Sequence, residues 1–349
     1  MQSKKRLYNI YSREELNRRI AQEPHRRITL SYYRYILLED PDAERQKLYA
    51  DLSEIEVLGR IYLASEGINA QISLPASRLT EFQSYLQSRN FYKDMPLKIA
   101  LDEPSVSFIK LKIKVRTKIL ADGLNDESFD VTDVGEHLDA LQFHELVGES
   151  EVNIIDMRNH YETEVGHFEG AFLPNSETFR DALPVVEKHL EGKQDQKVLL
   201  YCTGGIRCEK ASAYLKHKGF KDVNQLHGGI IQYAHKVRES GLESKYKGVN
   251  FVFDARLGER VTEDILSLCS SCGKPNDRHL NCANDLCHKL FIQCEDCSKS
   301  RMSACSLRCY EVLQLKPEEF ETLKRSGSFE AGFSKTYREG EIKPWEPPS

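Results

Sequence analysis

The residues best suited to chemistry in this chain are its cysteines, and their spacing divides them into two kinds. The chain has 349 residues and 10 cysteines, none of them before Cys202. Cys202 and Cys208 lie close together, and the other eight crowd between Cys269 and Cys309. The first pair sits in K-V-L-L-Y-C-T-G-G-I-R-C-E-K-A-S. An apolar run ends on Cys202, a short loop of Thr203, Gly204, Gly205, Ile206 and Arg207 follows, and a helix opens near Cys208. Adjacent glycines let successive N–H groups turn inward and form an anion-binding nest. The helix N-terminus adds partial positive charge, and Arg207 adds a full one. Such a loop favours thiolate over thiol, and equally stabilises a persulfide or an anionic intermediate. Cys202 is therefore the candidate nucleophile. Cys208 is read as a small packed residue at the helix start, with a resolving role against a Cys202 persulfide or sulfenate as the alternative.

The second group contains two Cys-x-x-Cys knuckles, Cys269/Cys272 and Cys294/Cys297, with Cys282 and Cys287 between them and Cys305 and Cys309 after them. Eight thiols so close together match structural zinc. An interleaved pairing puts Cys269, Cys272, Cys294 and Cys297 on one ion and Cys282, Cys287, Cys305 and Cys309 on the other. His288 is an alternative to Cys287, and a redox relay serving Cys202 is the weaker reading of the whole cluster.

A third pattern carries charge. In F-I-K-L-K-I-K-V-R-T-K-I-L, Lys110, Lys112, Lys114, Arg116 and Lys118 alternate with aliphatic residues. Strand side chains alternate faces, so one extended strand would aim all five cations the same way. Five cations without an acid suggest a phosphate-binding face, with Arg26, Arg27 and Arg34 as possible extensions.

Three regions must position these groups. Residues 1–125 read as βαββαβ, a ferredoxin-like α+β sandwich. Residues 130–245 alternate apolar strands such as V-N-I-I-D-M-R and K-V-L-L-Y-C with helices, as in a small α/β domain on a parallel sheet. Residues 246–310 hold the cysteine cluster, and 311–349 read as a polar, poorly ordered tail. The net charge of −5 names no partner, so any nucleic-acid surface must be local. No apolar run has the length of a membrane span, and the basic N-terminus is followed by polar sequence. The expected location is the cytosol, where free thiols and metal thiolates outlast disulfides.

The loop resembles that of the rhodanese superfamily, in which the catalytic cysteine begins a six-residue loop between strand and helix. Asp156-Met157-Arg158, Tyr161-Glu162, Gly166-His167-Phe168-Glu169-Gly170-Ala171 and Leu226-His227-Gly228-Gly229-Ile230 resemble further marks of that superfamily. Asp156 and Arg158 are expected to form an internal ion pair bracing the loop, with substrate contact as the alternative. A narrower resemblance spans nearly the whole chain. It rests on C-T-G-G-I-R-C-E-K-A-S, I-D-M-R-N-H-Y-E-T-E-V-G-H-F, A-S-E-G-I-N-A-Q-I-S and N-F-V-F-D-A-R-L-G-E-R, and it is to the oxygen-dependent tRNA uridine(34) hydroxylases. That resemblance implies an acylphosphatase-like N-terminal domain, a rhodanese domain, a cysteine-rich C-terminus, and 5-hydroxyuridine formation on tRNA with molecular oxygen as co-substrate. It carries the catalytic cysteine over to Cys202.

The residues do not say how oxygen is activated. No flavin or nicotinamide motif is found. Three His-x-acid pairs, His137/Asp139, His167/Glu169 and His189/Glu191, are weak candidates for an iron site, two of them expected on helices. The loop alone fits sulfur transfer through a Cys202 persulfide equally well, and a non-catalytic RNA-binding protein is the third possibility.

Overall fold

The computed structural model describes residues 8–101, 106–124 and 128–329. After helix α1 (Arg13–Ala21), strand β1 (Arg27–Tyr35) is followed by α2 (Pro41–Glu54), β2 (Leu58–Ala64), β3 (Gly67–Pro75), α3 (Leu79–Gln87), β4 (Lys98–Ile99) and β5 (Leu111–Val115). The strands alternate cleanly. Leu30, Tyr32, Ile61, Leu63, Ile68, Ile72 and Leu74 point to one face and are buried with Leu48 and Leu52 of α2 and Phe82 and Leu86 of α3. Asp40 starts α2 by accepting the Ala43 N–H at 2.9 Å. The sheet order is β4-β1-β3-β2-β5, which is the ferredoxin-like arrangement with β5 added parallel to β2.

The basic strand is shorter than its sequence pattern suggests. Its ladder to β2 runs only from Leu111 to Val115, because β2 ends at Ala64 and offers no further partner. Beyond it the chain turns away, and Lys118 pairs with the buried Asp122 at 2.8 Å instead of joining the cationic face.

The next region carries β6 (Glu136–Leu138), α4 (Ala140–Leu146), β7 (Val152–Asp156), α5 (His160–Thr163), β8 (Gly166–Phe168), α6 (Phe179–His189), β9 (Lys197–Tyr201), α7 (Ile206–His217), β10 (Asp222–Leu226) and α8 (Gly229–Ser240). Four of the strands form a parallel sheet ordered β6-β10-β9-β7. Strand β9 is apolar on both sides because both faces are covered. Val198, Leu200 and Cys202 pack with α6 and α7, whereas Leu199 and Tyr201 pack with α4 and α8.

The sheet β8-β11-β12 ties the last region to this domain: β11 (Tyr246–Asn250) pairs with β8 and with β12 (Glu259–Arg260). Then come the hairpin β13 (His279–Asn281) and β14 (Leu290–Ile292), and helices α9 (Glu295–Ser300), α10 (Leu307–Leu313) and α11 (Pro317–Ser326). The expected polar tail from residue 311 thus begins with the end of α10 and, after a break at residues 314–316, continues as α11 to Ser326. Its charges sit where helix ends favour them, Glu318 and Glu319 in the first turn and Lys324 and Arg325 in the last. The rest of that expected tail, residues 330–349, lies outside the described residues.

Candidate active site

Cys202 stands at the carboxyl end of β9, where parallel sheets offer their ligand crevice. Its sulfur accepts the Gly205 N–H at 3.1 Å. Gly205 has φ +99°, and a side chain there would meet the Tyr33 hydroxyl at 2.7 Å, so both the turn and the neighbour require glycine. Gly229 opens α8 at φ +68°, and a Cβ on it would lie 2.6 Å from the Cys202 carbonyl. That close approach lets the Ile230 N–H donate to the same carbonyl at 3.0 Å. The loop is therefore held from both helices.

Burial alone would push the Cys202 thiol up. The Cys208 thiol, the Arg207 charge, and the N–H groups of Arg207 and Gly205 outweigh it, and together they bring the pKa down to about 5. Cys208 is also buried, and burial together with its hydrogen bond to Cys202 and that residue's charge drives its own pKa well up. One sulfur of the pair is the anion and the other keeps its proton.

Arg207 has an acidic partner that the sequence reading did not assign. Its guanidinium forks onto Glu162 at 2.6 and 2.8 Å, and both side chains are buried. Asp156 and Arg158 form a second buried pair at 2.6 Å, and Arg158 also donates to the Gly166 carbonyl and the Tyr246 hydroxyl. This pair fixes the start of β8 and the base of the loop between β7 and α5. It has no exposed surface, and neither member lines the cavity described next.

A cavity of about 390 Å³ opens above the loop. Its floor includes Cys202, Thr203, Gly204, Ile206 and Arg207. Its roof is the helix-free face of the N-terminal sheet, with Tyr33, Arg60, Tyr62, Asn69 and Gln71. Its side includes Phe253, Asp254, Arg256 and Glu259 from the segment after β11. The sequence reading missed this roof. Alternation marks that sheet face as polar, but nothing local says that it covers a second domain. Lys98 of β4 lies over Gly204, with its ammonium 4.0 Å from the Tyr33 ring centroid. Burial lowers its pKa to about 8, against the opposing pull of Cys202 and Glu209. Glu209 in turn accepts from Tyr33 at 3.2 Å and bonds His137 at 3.0 Å.

Three family models match in series: the UPF0176 acylphosphatase like domain over residues 27–119, the Rhodanese-like domain over 139–236, and the Rhodanase C-terminal over 247–310. The chain is 53% identical over 325 residues to the tRNA uridine(34) hydroxylase of Leptospira interrogans serovar Lai, covering 93% of this chain and 89% of that one. The chain belongs to the tRNA uridine(34) hydroxylase family. The member from Erwinia tasmaniensis is 48% identical over 322 residues, 92% of each chain. Among solved structures, the rhodanese-like domain of the Alr3790 protein from Anabaena sp. is 23% identical, covering 32% of this chain and 78% of that one with a TM-score of 0.27.

In this member of the family the eight C-terminal thiols gather into two sets. Cys269, Cys272, Cys294 and Cys297 form one, and Cys282, Cys287, Cys305 and Cys309 the other, with the ligand atoms of each set within 4.8 Å of one another. The sulfurs of Cys272 and Cys294 are 3.9 Å apart, Cys287 and Cys305 3.7 Å, and Cys305 and Cys309 3.6 Å. Four thiolates around a tetrahedral zinc lie about 3.8 Å apart. The donor set and its spacing fit a metal. His288 is exposed and belongs to neither set.

The His-x-acid pairs do not gather into a metal site among the described residues. His137 is on strand β6, not a helix, and Asp139 caps α4. His189 stacks on Phe172. Of the basic residues, Lys112 and Lys114 face the same way as Arg60 and Tyr62 across the β2–β5 ladder. Lys112 and Arg116 crowd Lys114 and pull its pKa down. Arg27 instead binds Glu23, and Arg34 donates to the carbonyls of Lys93 and Asp94.

Proposed function

We propose that the chain converts uridine at tRNA position 34, the wobble base, to 5-hydroxyuridine, with molecular oxygen as co-substrate and Cys202 as the reactive group. The observation that carries this reading is Cys202, its pKa drawn down to about 5, on the floor of a cavity whose other walls include Tyr33, Tyr62 and Phe253. Aromatic side chains stack unpaired bases, and a single-stranded anticodon base needs no duplex to be opened first. A thiolate can add to C6 of the uracil ring, which makes C5 electron-rich. C5 then takes one atom of O2, and a two-electron donor from solution carries the other to water. Loss of the C5 proton with release of the sulfur from C6 restores the ring. Thr203, Gly204, Gly205, Ile206 and Arg207 would stabilise the sulfur anion, and Asp156 and Arg158 would brace them. The fully buried state of Cys202 means that Lys98 or the loop must give way before a base reaches the sulfur.

The tRNA backbone would lie along Lys110, Lys112, Lys114 and Arg116, continued by Arg60 toward the cavity. Reversing Lys112, Lys114 and Arg116 to Glu should weaken tRNA binding roughly tenfold or more at low salt. The slope of log K against log salt should fall by about 3. Filter binding across a salt series measures both, and an unchanged slope would move the tRNA surface elsewhere. Zinc would occupy both thiolate sets and hold the C-terminal region in shape.

Nucleoside mass spectrometry of tRNA from cells with and without the gene tests the activity. 5-Hydroxyuridine should vanish on deletion and should not return with Cys202→Ala. Thiouridine lost in its place would establish sulfur transfer through a Cys202 persulfide.

A further inference from the structure

One carboxylate in the cavity wall plays no part in the reaction described so far. Glu259 is 2% exposed and lines the cavity. Its Oε1 accepts from the Leu101 N–H at 3.2 Å and from Arg256 at 2.6 Å. Its Oε2 is buried and has no hydrogen-bond partner among the described residues. Arg256 cannot swing across to serve it, because Asp254 holds the same guanidinium at 2.9 and 2.6 Å. The strand pairing of Glu259 with Asn250 fixes the backbone as well. A buried carboxylate oxygen that accepts nothing is costly, and on the wall of a cavity a ligand can supply the donor.

We infer that Glu259 reads the substrate base by accepting the N3–H of uracil. This rests on the hydroxylase reading above. A uracil joined to ribose through N1 has one ring donor, N3–H, between two carbonyl acceptors. Cytosine has a lone pair at that position, which would face the carboxylate oxygen and repel it. The aromatic side chains of Tyr33, Tyr62 and Phe253 suit the faces of a flat ring, and Glu259 suits its edge. The segment N-F-V-F-D-A-R-L-G-E-R thereby gains a role: Asp254 holds Arg256, and Arg256 holds Glu259. Asp254 and Arg256 are positioning residues, and Glu259 touches the base.

The test uses the full-length protein and an anticodon stem–loop RNA carrying either uridine or 3-methyluridine at position 34. The readout is protection of Cys202 from iodoacetamide, followed by mass spectrometry. Half-protection should need roughly 10- to 100-fold more of the methylated RNA, the loss expected for one hydrogen bond to a charged group. Equal protection by the two RNAs, or protection by neither, overturns the inference. Glu259→Gln, checked for an unchanged melting temperature, should shrink the preference for uridine over cytidine at position 34 by a similar factor. Full discrimination in a folded Glu259→Gln protein also overturns it. Formation of 5-hydroxyuridine is scored separately. If the two RNAs differ in protection but no 5-hydroxyuridine forms, base recognition stands and the hydroxylase reading fails. If hydroxylation proceeds with equal protection, the reverse holds.

Discussion

The chain holds its cysteines in two environments that solve one problem differently. A thiolate needs positive charge nearby. At Cys202 that charge comes from the polypeptide itself: the Gly205 amide, the Arg207 amide and guanidinium, and the thiol of Cys208. In the C-terminal region thiols face one another at 3.6–3.9 Å, and backbone N–H groups reach Cys269 and Cys282 at 3.4 Å. On the proposal above, their charge balance comes from a metal ion. The first arrangement places a sulfur anion beneath a cavity, buried until Lys98 or the loop moves aside. The second would commit every sulfur to holding structure. Identical side chains thus become a reagent or a staple according to what neutralises them.

The largest effect that would break this contrast is metal removal. The buried core around the second set consists of Cys282, Phe291, Ala304 and Cys309, too small to stand alone. Structural zinc supplies roughly 10 kcal/mol or more of folding free energy in such modules. Two ions per chain are expected by metal analysis. A strong chelator should expose residues 268–313 to protease while leaving the parallel-sheet domain folded. A protein without metal and with an ordered C-terminal region would overturn the division.

The next effect lies in the buried pair of Arg207 and Glu162. Glu162→Gln removes the partner of a buried guanidinium, which costs about 3–5 kcal/mol and should show in urea unfolding. The same change leaves the Arg207 charge uncompensated beside Cys202. The sulfur should then hold its proton less tightly, so the midpoint of its alkylation rate should drop below the unmodified value of about 5. A midpoint that stays put would mean that Arg207 does not act on the sulfur.

Much of this contrast was legible in the sequence because it is local. The strand, the two glycines and the helix start follow one another within residues 197–209, so spacing alone places the nest. The thiols group into the two interleaved sets of four that the sequence reading chose among the alternatives, one of them built from the two Cys-x-x-Cys knuckles. The roof and side of the cavity were not legible. Tyr33 and Lys98 reach the loop from a sheet more than 100 residues upstream, and Glu259 from a strand beyond the parallel-sheet domain. Alternation shows which side of β1 is polar but not what it covers. Glu162 lay within a recognised signature, yet nothing in its spacing says that it forks onto Arg207. The basic strand misled for a physical reason: its alternation continues past Val115, but a ladder ends where its partner strand ends.

The smallest predicted effect concerns Cys208. Free cysteine titrates near about 8.5, so a Cys202 pKa of about 5 leaves a wide margin at neutral pH. The alkylation rate should be flat from neutral pH down to about 6 and fall as the pH drops through about 5, because the lowered pKa keeps the anion until then. Cys208→Ala removes the thiol that donates to that anion, so the midpoint should rise. The rate at neutral pH should hardly change, since the anion stays dominant there. This outcome would make Cys208 a packed hydrogen-bond donor, in keeping with its complete burial. Recovery after peroxide treatment decides the other reading. If the wild type forms a Cys202–Cys208 disulfide that thiols reverse, and the variant is instead inactivated for good, then Cys208 resolves an oxidised Cys202. The two sulfurs of the reactive loop would then act as a redox pair, and the contrast with the C-terminal sets would be between a disulfide switch and a metal site.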